Sequence, residues 1–382
     1  MRKTQPGRIL VFGMTENPGG VESFLMNYYR ALDREKLQFD FLVNTADRIA
    51  YEDELLALGG RLYRIPARSR DRRGFQKELD ILFREHHGDW DAVWVNVSSL
   101  ANIDYLKVAK KYGIRKRIIH SHNSRNMDSS LRALLHLWNR LWVGRFATDF
   151  WACSEDAARW FYNAELRKRC VIIHNAIDVD GMKYDQEKGL RIRAGQGWQG
   201  KFVIGNVGRL HFQKNQKFAV EIFRCFHAEH PESVLVLVGQ GEDEADLKAL
   251  AARFQLEDSV YFAGVQADIQ AWLSCFDCFL FPSVFEGLGI AALEAQANGL
   301  PVLASRDVVP EEVKINSNVV FLDLNAGAAA WARQLQEMRG LRRTEFAEIK
   351  KAFQARGYDI RTEACRLENA LLAAPGGIVL EH

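Results

Sequence analysis

Short apolar runs rich in β-branched residues alternate with amphipathic stretches along nearly the whole chain. Runs that are apolar throughout, such as Val93-Trp94-Val95, are typical of strands covered on both faces by helices. The strands predicted in the first half are Arg8–Phe12, Phe39–Val43, Arg61–Ile65, Ala92–Val97, Arg117–His120 and Asp149–Ala152. The helices predicted between them are Val21–Leu32, Arg73–His86, Ala101–Tyr112 and Leu131–Ala147. This alternation predicts a doubly wound, parallel α/β sheet.

The alternation pauses over a polar stretch that contains five glycines, Asp178–Lys201, and then resumes. The strands predicted beyond it are Phe202–Val207, Ser233–Val238, Val260–Phe262, Cys278–Phe281, Pro301–Ala304 and Val319–Leu322. The helices predicted there are Asn215–Glu229, Glu242–Phe254, Ala267–Cys275 and Gly289–Asn298. We therefore predict two Rossmann-like domains, residues 1–185 and 186–358. Such domains bind ligands at the carboxyl ends of their strands, so two facing domains would form a cleft.

The composition is that of a folded protein whose charge is unevenly distributed. The chain has 382 residues, of which 48% are hydrophobic, and this fraction excludes a disordered chain. The net charge of +2 is the sum of two unequal halves. Residues 1–180 carry 29 Lys and Arg against 23 Asp and Glu, whereas the remaining residues carry 22 against 26. A net charge of +6 in the first half suggests a negatively charged partner on that side.

Targeting signals and cysteine chemistry change this interpretation little. The apolar run Ile9–Phe12 is too short for the core of a signal peptide, and no stretch approaches the roughly 18 apolar residues that span a bilayer. Six cysteines are sparse in a chain of this length, and we interpret the lone Cys275-x-x-Cys278 as small buried residues rather than a metal or redox site. We expect a reduced, cytoplasmic protein, whose residues 380–382 resemble the remnant of a purification tag.

Two loops in the first half carry candidate chemistry. Gly19-Gly20 lies immediately before a predicted helix, where glycines let backbone N–H groups approach an anion, although an ordinary flexible turn has the same sequence. His120 and His122 flank a serine after the fifth strand. They could act as acid and base, as sugar-binding donors, as part of a metal site or only in a structural role. Since no carboxylate or third ligand accompanies them, metal binding is the least favoured of these.

The loop after the first strand of the second half carries two cations. Gly208-Arg209 is followed four residues later by Lys214, between a buried strand and a helix. A forked guanidinium and a point charge on one short loop suit a diphosphate. The alternative is a pair of solvated surface cations.

The most specific motif is PSVFEGLGIAALEA, in which Glu286 and Glu294 have seven residues between them. Glu286 is expected in a loop with the amides of Gly287, Leu288 and Gly289, and Glu294 about one and a half turns into the next helix, roughly 7–8 Å along its axis. Glu294 could be an ordinary surface glutamate. Because its neighbours are small or apolar, its carboxylate would need a partner if buried, and a hydroxyl-rich ligand would supply one.

These motifs together resemble the retaining glycosyltransferases of family four, which have the two-domain GT-B fold. The resemblance covers nearly the whole chain and rests on PSVFEGLGIAALEAQANGLPVLAS, G-R-x-x-x-x-K, G-G-V-E, HSHN and HNAID. The first half is most similar to bacterial enzymes that build capsular and exopolysaccharides. Asn175-Ala176 and Ala297-Asn298-Gly299 depart from the family pattern, which bears on donor specificity.

The resemblance implies a role for each candidate residue. Arg209 and Lys214 would bind the diphosphate of a nucleotide-sugar, Glu286 with the backbone of Gly287–Gly289 would contact the transferred sugar, and Glu294 would accept from the ribose hydroxyls. Val265, after Gly264, would lie against the base, for which we favour uridine. In the first domain, Gly19 and Gly20 would lie near the phosphates and acceptor, and His122 near the donor sugar. The closing segment 359–379, with a helix at Ile360–Leu372, would cross back onto the first domain.

The resemblance also implies retention of configuration, and no carboxylate nucleophile can be named from the sequence. We therefore favour same-face attack, with a donor phosphate oxygen as the base. No Asp-x-Asp follows a predicted strand, so we expect no metal and no cofactor, with cations and helix amides stabilising the departing diphosphate.

The expected partners are a nucleotide-diphosphate sugar and a glycan or lipid-linked acceptor. Two alternatives stay open, a nucleotide-sugar epimerase on the same fold and a non-catalytic GT-B partner subunit. Nucleic acid binding is not favoured, because no aromatic stacking motif accompanies the basic residues. Weak peripheral association with an anionic membrane is a further expectation. Its candidate contacts are Arg64, Arg68, Arg70, Arg72, Arg73, Lys77, Arg132, Trp138, Arg140, Trp142 and Arg145. Because Leu131, Leu134, Leu135 and Leu141 have core spacing, we interpret their helix mainly as a packed one.

Overall fold

The computed structural model describes residues 6–17, 19–123, 130–286 and 288–377, with the backbone alone at 130 and 131. The chain forms two compact units. The first joins the residues up to Ala176 with those from Ile360 onward, and the second comprises Ile177–Asp359.

The first unit contains a seven-stranded parallel sheet in the order β3-β2-β1-β4-β5-β6-β7. Its strands are β1 (Gly7–Phe12), β2 (Leu37–Val43), β3 (Arg61–Arg64), β4 (Ala92–Val97), β5 (Lys116–Ser121), β6 (Asp149–Ala152) and β7 (Cys170–Ile172). Its helices are α1 (Gly20–Ala31), α2 (Glu52–Ala57), α3 (Arg72–His86), α4 (Asp104–Lys111), α5 (Ser130–Trp142), α6 (Glu155–Phe161) and α7 (Ala164–Arg167).

The second unit contains a six-stranded parallel sheet in the order β10-β9-β8-β11-β12-β13. Its strands are β8 (Phe202–Val207), β9 (Ser233–Val238), β10 (Val260–Gly264), β11 (Cys278–Phe281), β12 (Val302–Ser305) and β13 (Val319–Leu322). Its helices are α8 (Gln186–Gln196), α9 (Gln216–Glu229), α10 (Glu244–Arg253), α11 (Ile269–Cys275), α12 (Ile290–Ala297), α13 (Ala328–Met338) and α14 (Phe346–Ala355).

Each sheet is buried on both faces, as the uniformly apolar strands predict. Successive side chains of β1 enter different cores, since Ile9 packs in one hydrophobic cluster and Leu10 in another. The same alternation places Val203 and Ile204 of β8 on opposite sides of the second sheet. The predicted fold class, two doubly wound parallel-sheet domains, is therefore confirmed.

The last helix, α15 (Ile360–Leu372), spans the predicted residues and belongs to the first unit. Its inward face, which includes Leu367 and Leu371, lies in the same hydrophobic cluster as α1 and β1. Lys116 of β5 is buried, and its Nζ donates to the carbonyl oxygens of Ala370 and Ala373 at the end of α15. A cation thus satisfies carbonyls that a helix end leaves unpaired.

The polar stretch after residue 177 belongs to the second unit. It contains α8, and the two units divide between Ala176 and Ile177 rather than near residue 185. Ile177 and Val179 are buried in the core of the second unit, which places the boundary before the polar stretch. The polar composition of α8 is compatible with packing because Gly189 is its buried residue, at the point where it approaches α11.

Helix α5 is also not the conventionally packed helix that its leucine spacing predicts. Leu134 and Leu141 are exposed, whereas His136 and Val143 are buried. The helix ends at Trp142 and not at Ala147 as predicted, and a 3-10 turn follows it. The predicted set of strands omitted β7, a three-residue strand too short to give an alternating pattern. None of the helices in the described ranges is long and apolar enough to cross a membrane.

Candidate functional site

The candidate site of the second unit lies where the strand order reverses. In the second sheet β8 has β9 on one side and β11 on the other. Loops that leave such neighbouring strands in opposite directions open a crevice at the carboxyl edge of a parallel sheet, which is where this class of fold binds ligands. The loops after β8 and β11 carry the predicted cations and carboxylates.

Lys214 and Glu286 form an ion pair across these two loops. Lys214 Nζ donates to Glu286 Oε1 at 2.6 Å, and the two side chains are 20% and 6% exposed. The ammonium also lies 5.0 Å from the ring centroid of Phe281, at the end of β11. Gly208 leaves room for the lysine stem, because a Cβ at this position would lie 3.2 Å from Lys214 Cε. The structure therefore brings together two residues that are 72 positions apart in the chain.

Amide side chains hold the two loops in register. Gln213 Nε2 donates to the carbonyl oxygen of Phe285 at 3.0 Å, and the backbone carbonyl oxygen of Gln213 accepts from Val284 N–H at 2.9 Å. Asn215 Nδ2 donates to the carbonyl oxygen of Pro282 at 3.1 Å. These amides flank Lys214 on both sides and so fix its approach to Glu286. Sequence reasoning missed them, because a Gln and an Asn in a polar loop give no signal of their own.

Arg209 does not join this pair in the structure. Its guanidinium is 70% exposed and holds Glu242, with Nη2 and Nε each 3.1 Å from Oε2. His211 lies on the other carboxylate oxygen, with Nε2 3.2 Å from Oε1. The backbone N–H of Glu242 together with Arg209 and His211 holds the pKa of this carboxyl below its usual range. The two predicted diphosphate cations are thus each neutralised by a carboxylate of the protein.

The loop after β9, which supplies Glu242, was not predicted as part of the site. A Cβ on Gly239 would lie 2.1 Å from the carbonyl oxygen of Gly208, and one on Gly241 would lie 2.1 Å from that of Leu210. Only glycines allow this loop to pack against the loop after β8. The sequence Gly239-Gln240-Gly241 after a buried strand was the signal that could have found it.

Glu294 of α12 is a partly buried carboxylate among small and apolar neighbours. Burial raises its pKa to about 7, and the charge of Lys214 opposes this shift. In the part of the chain that the structure describes, its carboxylate has no hydrogen-bond or ion-pair partner. Glu294 is therefore not an ordinary surface glutamate, and its role toward a ligand stays a prediction. The pKa near neutrality means that a modest stabilisation by a ligand decides whether it is ionised.

The remaining predicted residues of the second unit are Gly287, Leu288, Gly289 and Val265. Gly287 lies outside the described residues. Leu288 is 8% exposed, and its side chain packs in the core of the second unit. Gly289 has a φ of 82° and precedes α12, a left-handed conformation that favours glycine. Val265 is 67% exposed after Gly264, which also has a positive φ.

In the first unit, Gly19 and Gly20 begin α1 as predicted. The end of this helix already has a carboxylate beside it, since a Cβ on Gly19 would lie 2.9 Å from Glu22 Oε2. Glu22 is buried and accepts from Thr15 Oγ1 at 2.6 Å. An anionic ligand at this helix end would therefore meet the charge of Glu22 as well as the backbone amides.

His122 is held as a neutral ring at the carboxyl end of β5. Burial lowers its pKa to about 3. The ring contacts Asn96, with Nε2 2.9 Å from Oδ1, so Nε2 carries the proton and Nδ1 is an acceptor. Among the described residues this Nδ1 has no partner. His122 can therefore accept a hydrogen bond, whereas a role as a general acid at neutral pH is disfavoured.

His120 packs against His122 with ring centroids 4.2 Å apart. It is fully buried, and burial, with a smaller effect of the neighbouring His122 ring, lowers its pKa well below the usual value. Of the two histidines that the sequence offered, His120 is part of the core. Across the described ranges, no group of three or more His, Cys, Asp and Glu side chains is arranged to hold a metal ion.

Two family models match the chain, one in each unit. Residues 18–180 match the model described as "Glycosyltransferase Family 4", and residues 190–344 match "Glycosyl transferases group 1". The protein EpsF of Bacillus subtilis strain 168, which carries the name of a glycosyltransferase, is 31% identical over 366 residues. That alignment covers 92% of this chain and 93% of EpsF.

A second relative is similar over half its length. It is the UDP-Gal:alpha-D-GlcNAc-diphosphoundecaprenol alpha-1,3-galactosyltransferase of Escherichia coli, 34% identical over 198 residues, which are 49% of this chain and 51% of that protein.

Solved structures share the fold at low sequence identity. Anabaena HepE in complex with UDP has a TM-score of 0.75 and 18% identity, covering 95% of this chain and 99% of HepE. A glycosyltransferase from Rickettsia africae has a TM-score of 0.76 and 15% identity, covering 97% of this chain and 99% of that one. Sequence and fold comparisons thus agree over nearly the full length of the chain.

Proposed function

The chain belongs to the family 4 glycosyltransferases, and on that premise we propose that it is a retaining, metal-independent enzyme of bacterial surface polysaccharide synthesis. It moves a sugar from a nucleotide-diphosphate sugar, with uridine as the favoured base, to a glycan or lipid-linked acceptor. The name of the Escherichia coli relative, whose acceptor is a diphosphoundecaprenol-linked sugar, supports an acceptor of this class. Structures of Anabaena HepE with UDP and with UDP-glucose support the donor.

The observation that carries the proposal is the Lys214–Glu286 pair beside Glu294. Two carboxylates and one cation converge at the switch point of the second sheet, and the cation influences both acids. A donor has complementary chemistry, since it presents sugar hydroxyls, a diphosphate and ribose hydroxyls in sequence. Glu286 accepts from the sugar hydroxyls, Lys214 meets the phosphate, and Glu294 accepts from the ribose.

Lys214 can serve Glu286 and a phosphate at the same time. An ammonium has three N–H donors, and the contact with Glu286 uses one of them. Arg209 is exposed, so its guanidinium can turn from Glu242 to a diphosphate at a small cost in free energy. Charge that develops on the departing diphosphate would then be stabilised by both cations. Each such interaction typically contributes about 3–4 kcal/mol to the transition state.

Metal independence is proposed because Lys214 and Arg209 can supply positive charge at the leaving group without a divalent ion. We expect turnover to be unchanged by EDTA. Loss of activity in EDTA that Mg²⁺ restores would contradict this part of the proposal and leave the donor assignment standing.

The deciding experiment is a donor screen with the purified protein. Uridine and guanosine diphosphate sugars are tested for binding by calorimetry and for turnover with a polyprenyl-diphosphate sugar as acceptor. Nuclear magnetic resonance of the product gives the anomeric configuration, which is retained if the proposal is correct. An inverted product would contradict retention, and a changed sugar formed without any acceptor would indicate an epimerase.

A further inference from the structure

The loop that carries Glu242 is bound along its backbone to the loop that carries Arg209. Leu210 N–H donates to the carbonyl oxygen of Gln240 at 3.0 Å, and Asp243 N–H donates to the carbonyl oxygen of Leu210 at 3.1 Å. The side chain of Leu210 is fully buried, which anchors this pair of hydrogen bonds in the core. Glu242 lies between Gln240 and Asp243. The backbone of the fold therefore places its carboxylate beside Arg209, and the ion pair does not depend on two flexible side chains alone.

A second side chain holds the Glu242 carboxylate independently of Arg209. His211 Nδ1 accepts from the backbone N–H of Gln213 at 3.4 Å, so the ring carries its proton on Nε2. This Nε2 lies 3.2 Å from Glu242 Oε1, whereas Arg209 contacts the other oxygen, Oε2. The carboxylate would keep its contact with His211 if the guanidinium left. The guanidinium is thus the part of the ion pair that is free to move.

The two ion pairs of the site differ in how readily they exchange partners. Separating Lys214 from Glu286 would leave a carboxylate without a cation in a position that is nearly closed to water, which is costly. The side chains of Arg209 and Glu242 are 70% and 49% exposed, and ion pairs in such surroundings contribute little to stability. A diphosphate can therefore take Arg209 from Glu242 while Lys214 stays on Glu286.

We propose that Glu242 is a positioning residue of the donor site, whose carboxylate occupies the guanidinium of Arg209 in the free protein and is replaced there by the diphosphate of the donor. The role rests on the proposed function, in which Arg209 binds that diphosphate. Glu242 opposes the incoming phosphates in two ways, because it holds the guanidinium and because its negative charge repels another anion. It therefore lowers the affinity for the phosphates of a ligand and leaves recognition of the base and ribose unaffected.

The opposite role for Glu242 would be to hold Arg209 ready for the donor. The two roles predict opposite results when the charge of the carboxylate is removed. A competing carboxylate weakens diphosphate binding, so its removal strengthens it, whereas removal of a carboxylate that orients the guanidinium weakens it.

The test compares the full chain with E242Q, which keeps the shape of the side chain and removes its charge. Calorimetry measures the affinities of UDP and GDP, and displacement of the bound diphosphate measures those of uridine and guanosine. E242Q should bind the preferred diphosphate about three- to fivefold more tightly and its nucleoside equally well. A general disturbance of the site would change both affinities, so this difference is specific to the phosphates.

The part played by Arg209 is tested in a double-mutant cycle. In the background of R209Q, the gain in diphosphate affinity from E242Q should fall below about twofold, because no guanidinium is left to release. The matched control is E244Q, which removes a carboxylate two residues further on. Glu244 pairs with Lys248 of the same helix at 2.7 Å, and its loss should change diphosphate affinity by less than about 1.5-fold.

Weaker or unchanged diphosphate binding by E242Q would overturn the role of Glu242 as a competitor. An equal gain with and without Arg209 would also overturn it, since the effect would then be charge repulsion alone. Each of these results leaves the proposed donor standing. Failure of the unchanged chain to bind either diphosphate would instead contradict the donor assignment and the role of Glu242 with it, so the two failures are distinguishable.

Discussion

Individual ionisable side chains in the second unit are held in protonation states that depend on their neighbours. The Glu286 carboxylate is almost wholly removed from water and is matched by Lys214. Glu294 lies in a similarly apolar setting without a partner among the described residues, and burial raises its pKa to about 7. The two acids therefore differ in their surroundings, although both were predicted as ligands for hydroxyl groups.

Substitution of Lys214 by Ala should affect both stability and activity. The buried Glu286 carboxylate would lose its cation, which we expect to lower the free energy of unfolding by about 1–3 kcal/mol. Sugar transfer should fall by at least about 100-fold, because the departing diphosphate also loses a cation. Urea unfolding and initial rates measure the two effects separately.

The matched control is Lys217→Ala, three residues further on. Lys217 pairs with Asp246 at the surface, where both side chains are more than half exposed. Loss of this ion pair should lower the free energy of unfolding by less than about 0.5 kcal/mol and leave sugar transfer unchanged. Full activity of Lys214→Ala would remove the diphosphate role from this residue, and unaltered stability would show that the pair contributes little to folding.

The raised pKa of Glu294 predicts a pH-dependent effect of Glu294→Gln. A carboxyl whose pKa is higher in the folded state than the ordinary 4.5 contributes stability below that value, and this is lost as pH rises through 7. The isosteric amide should therefore leave the stability at pH 4 nearly unchanged. At pH 8 it should stabilise the protein by about 1–3 kcal/mol.

Urea titrations at the two pH values measure the difference for Glu294→Gln, with Glu257→Gln at an exposed position as the control for loss of one charge. An equal effect of Glu294→Gln at pH 4 and pH 8 would contradict the shifted pKa.

At the scale of elements, α8 and α11 approach so closely that one position between them must be glycine. A Cβ on Gly189 would lie 2.3 Å from the carbonyl oxygen of Ser274, at the end of α11. The hydroxyl of Ser274 accepts from Asp185 N–H at 3.0 Å, just before α8 begins. This contact connects the polar stretch that begins at Asp178 to the second unit.

Gly189→Ala should force α8 away from α11 and lower the free energy of unfolding by about 1–3 kcal/mol. Gly195→Ala in the same helix is the control. A Cβ at Gly195 meets no atom within 4 Å, so this substitution should stabilise the protein by about 0.5–1 kcal/mol through helix propensity. Chemical denaturation of both variants tests the pair, and a neutral Gly189→Ala would refute the close packing.

At the scale of the whole molecule, the two units share the chain unequally. The first unit is built from both ends of the chain, because α15 packs in the cluster that also contains α1 and β1, and Lys116 holds its end. The second unit is one continuous segment. The stability of the first unit therefore depends on residues from both sides of the second unit in the sequence.

A chain that ends at Asp359 should lose stability in the first unit only. Removing α15 exposes the apolar side chains packed against it, which we expect to lower the free energy of unfolding of this unit by at least about 5 kcal/mol. Calorimetry should show a lower unfolding temperature for the first unit and an unchanged unfolding temperature for the second unit. Leu372→Ala, at a half-exposed position of α15, should change neither by much. A shift of both transitions together would show that the units unfold as one.

The sequence by itself determined the fold class and most of the elements. Strands such as Ala92–Val97 and Val319–Leu322 have the predicted bounds, because buried parallel strands form uninterrupted apolar runs that local composition reveals. The motif that contains Glu286 and Glu294 was equally readable, since glycines and carboxylates at the start of an apolar helix are unusual without a ligand. Lys214 was predicted as a candidate diphosphate-binding cation from the sequence of its loop alone.

Only the tertiary structure decided which of these groups meet. The partners of Lys214 and Arg209 are Glu286 and Glu242, residues brought beside them by the order of the strands and not by their separation in the chain. The direction in which α5 faces was likewise undetermined by its leucine spacing, because His136 and Asn139 could find their backbone partners only in the folded unit. Local patterns record burial and conformation, whereas pairing, helix rotation and shifted pKa values depend on contacts between distant segments.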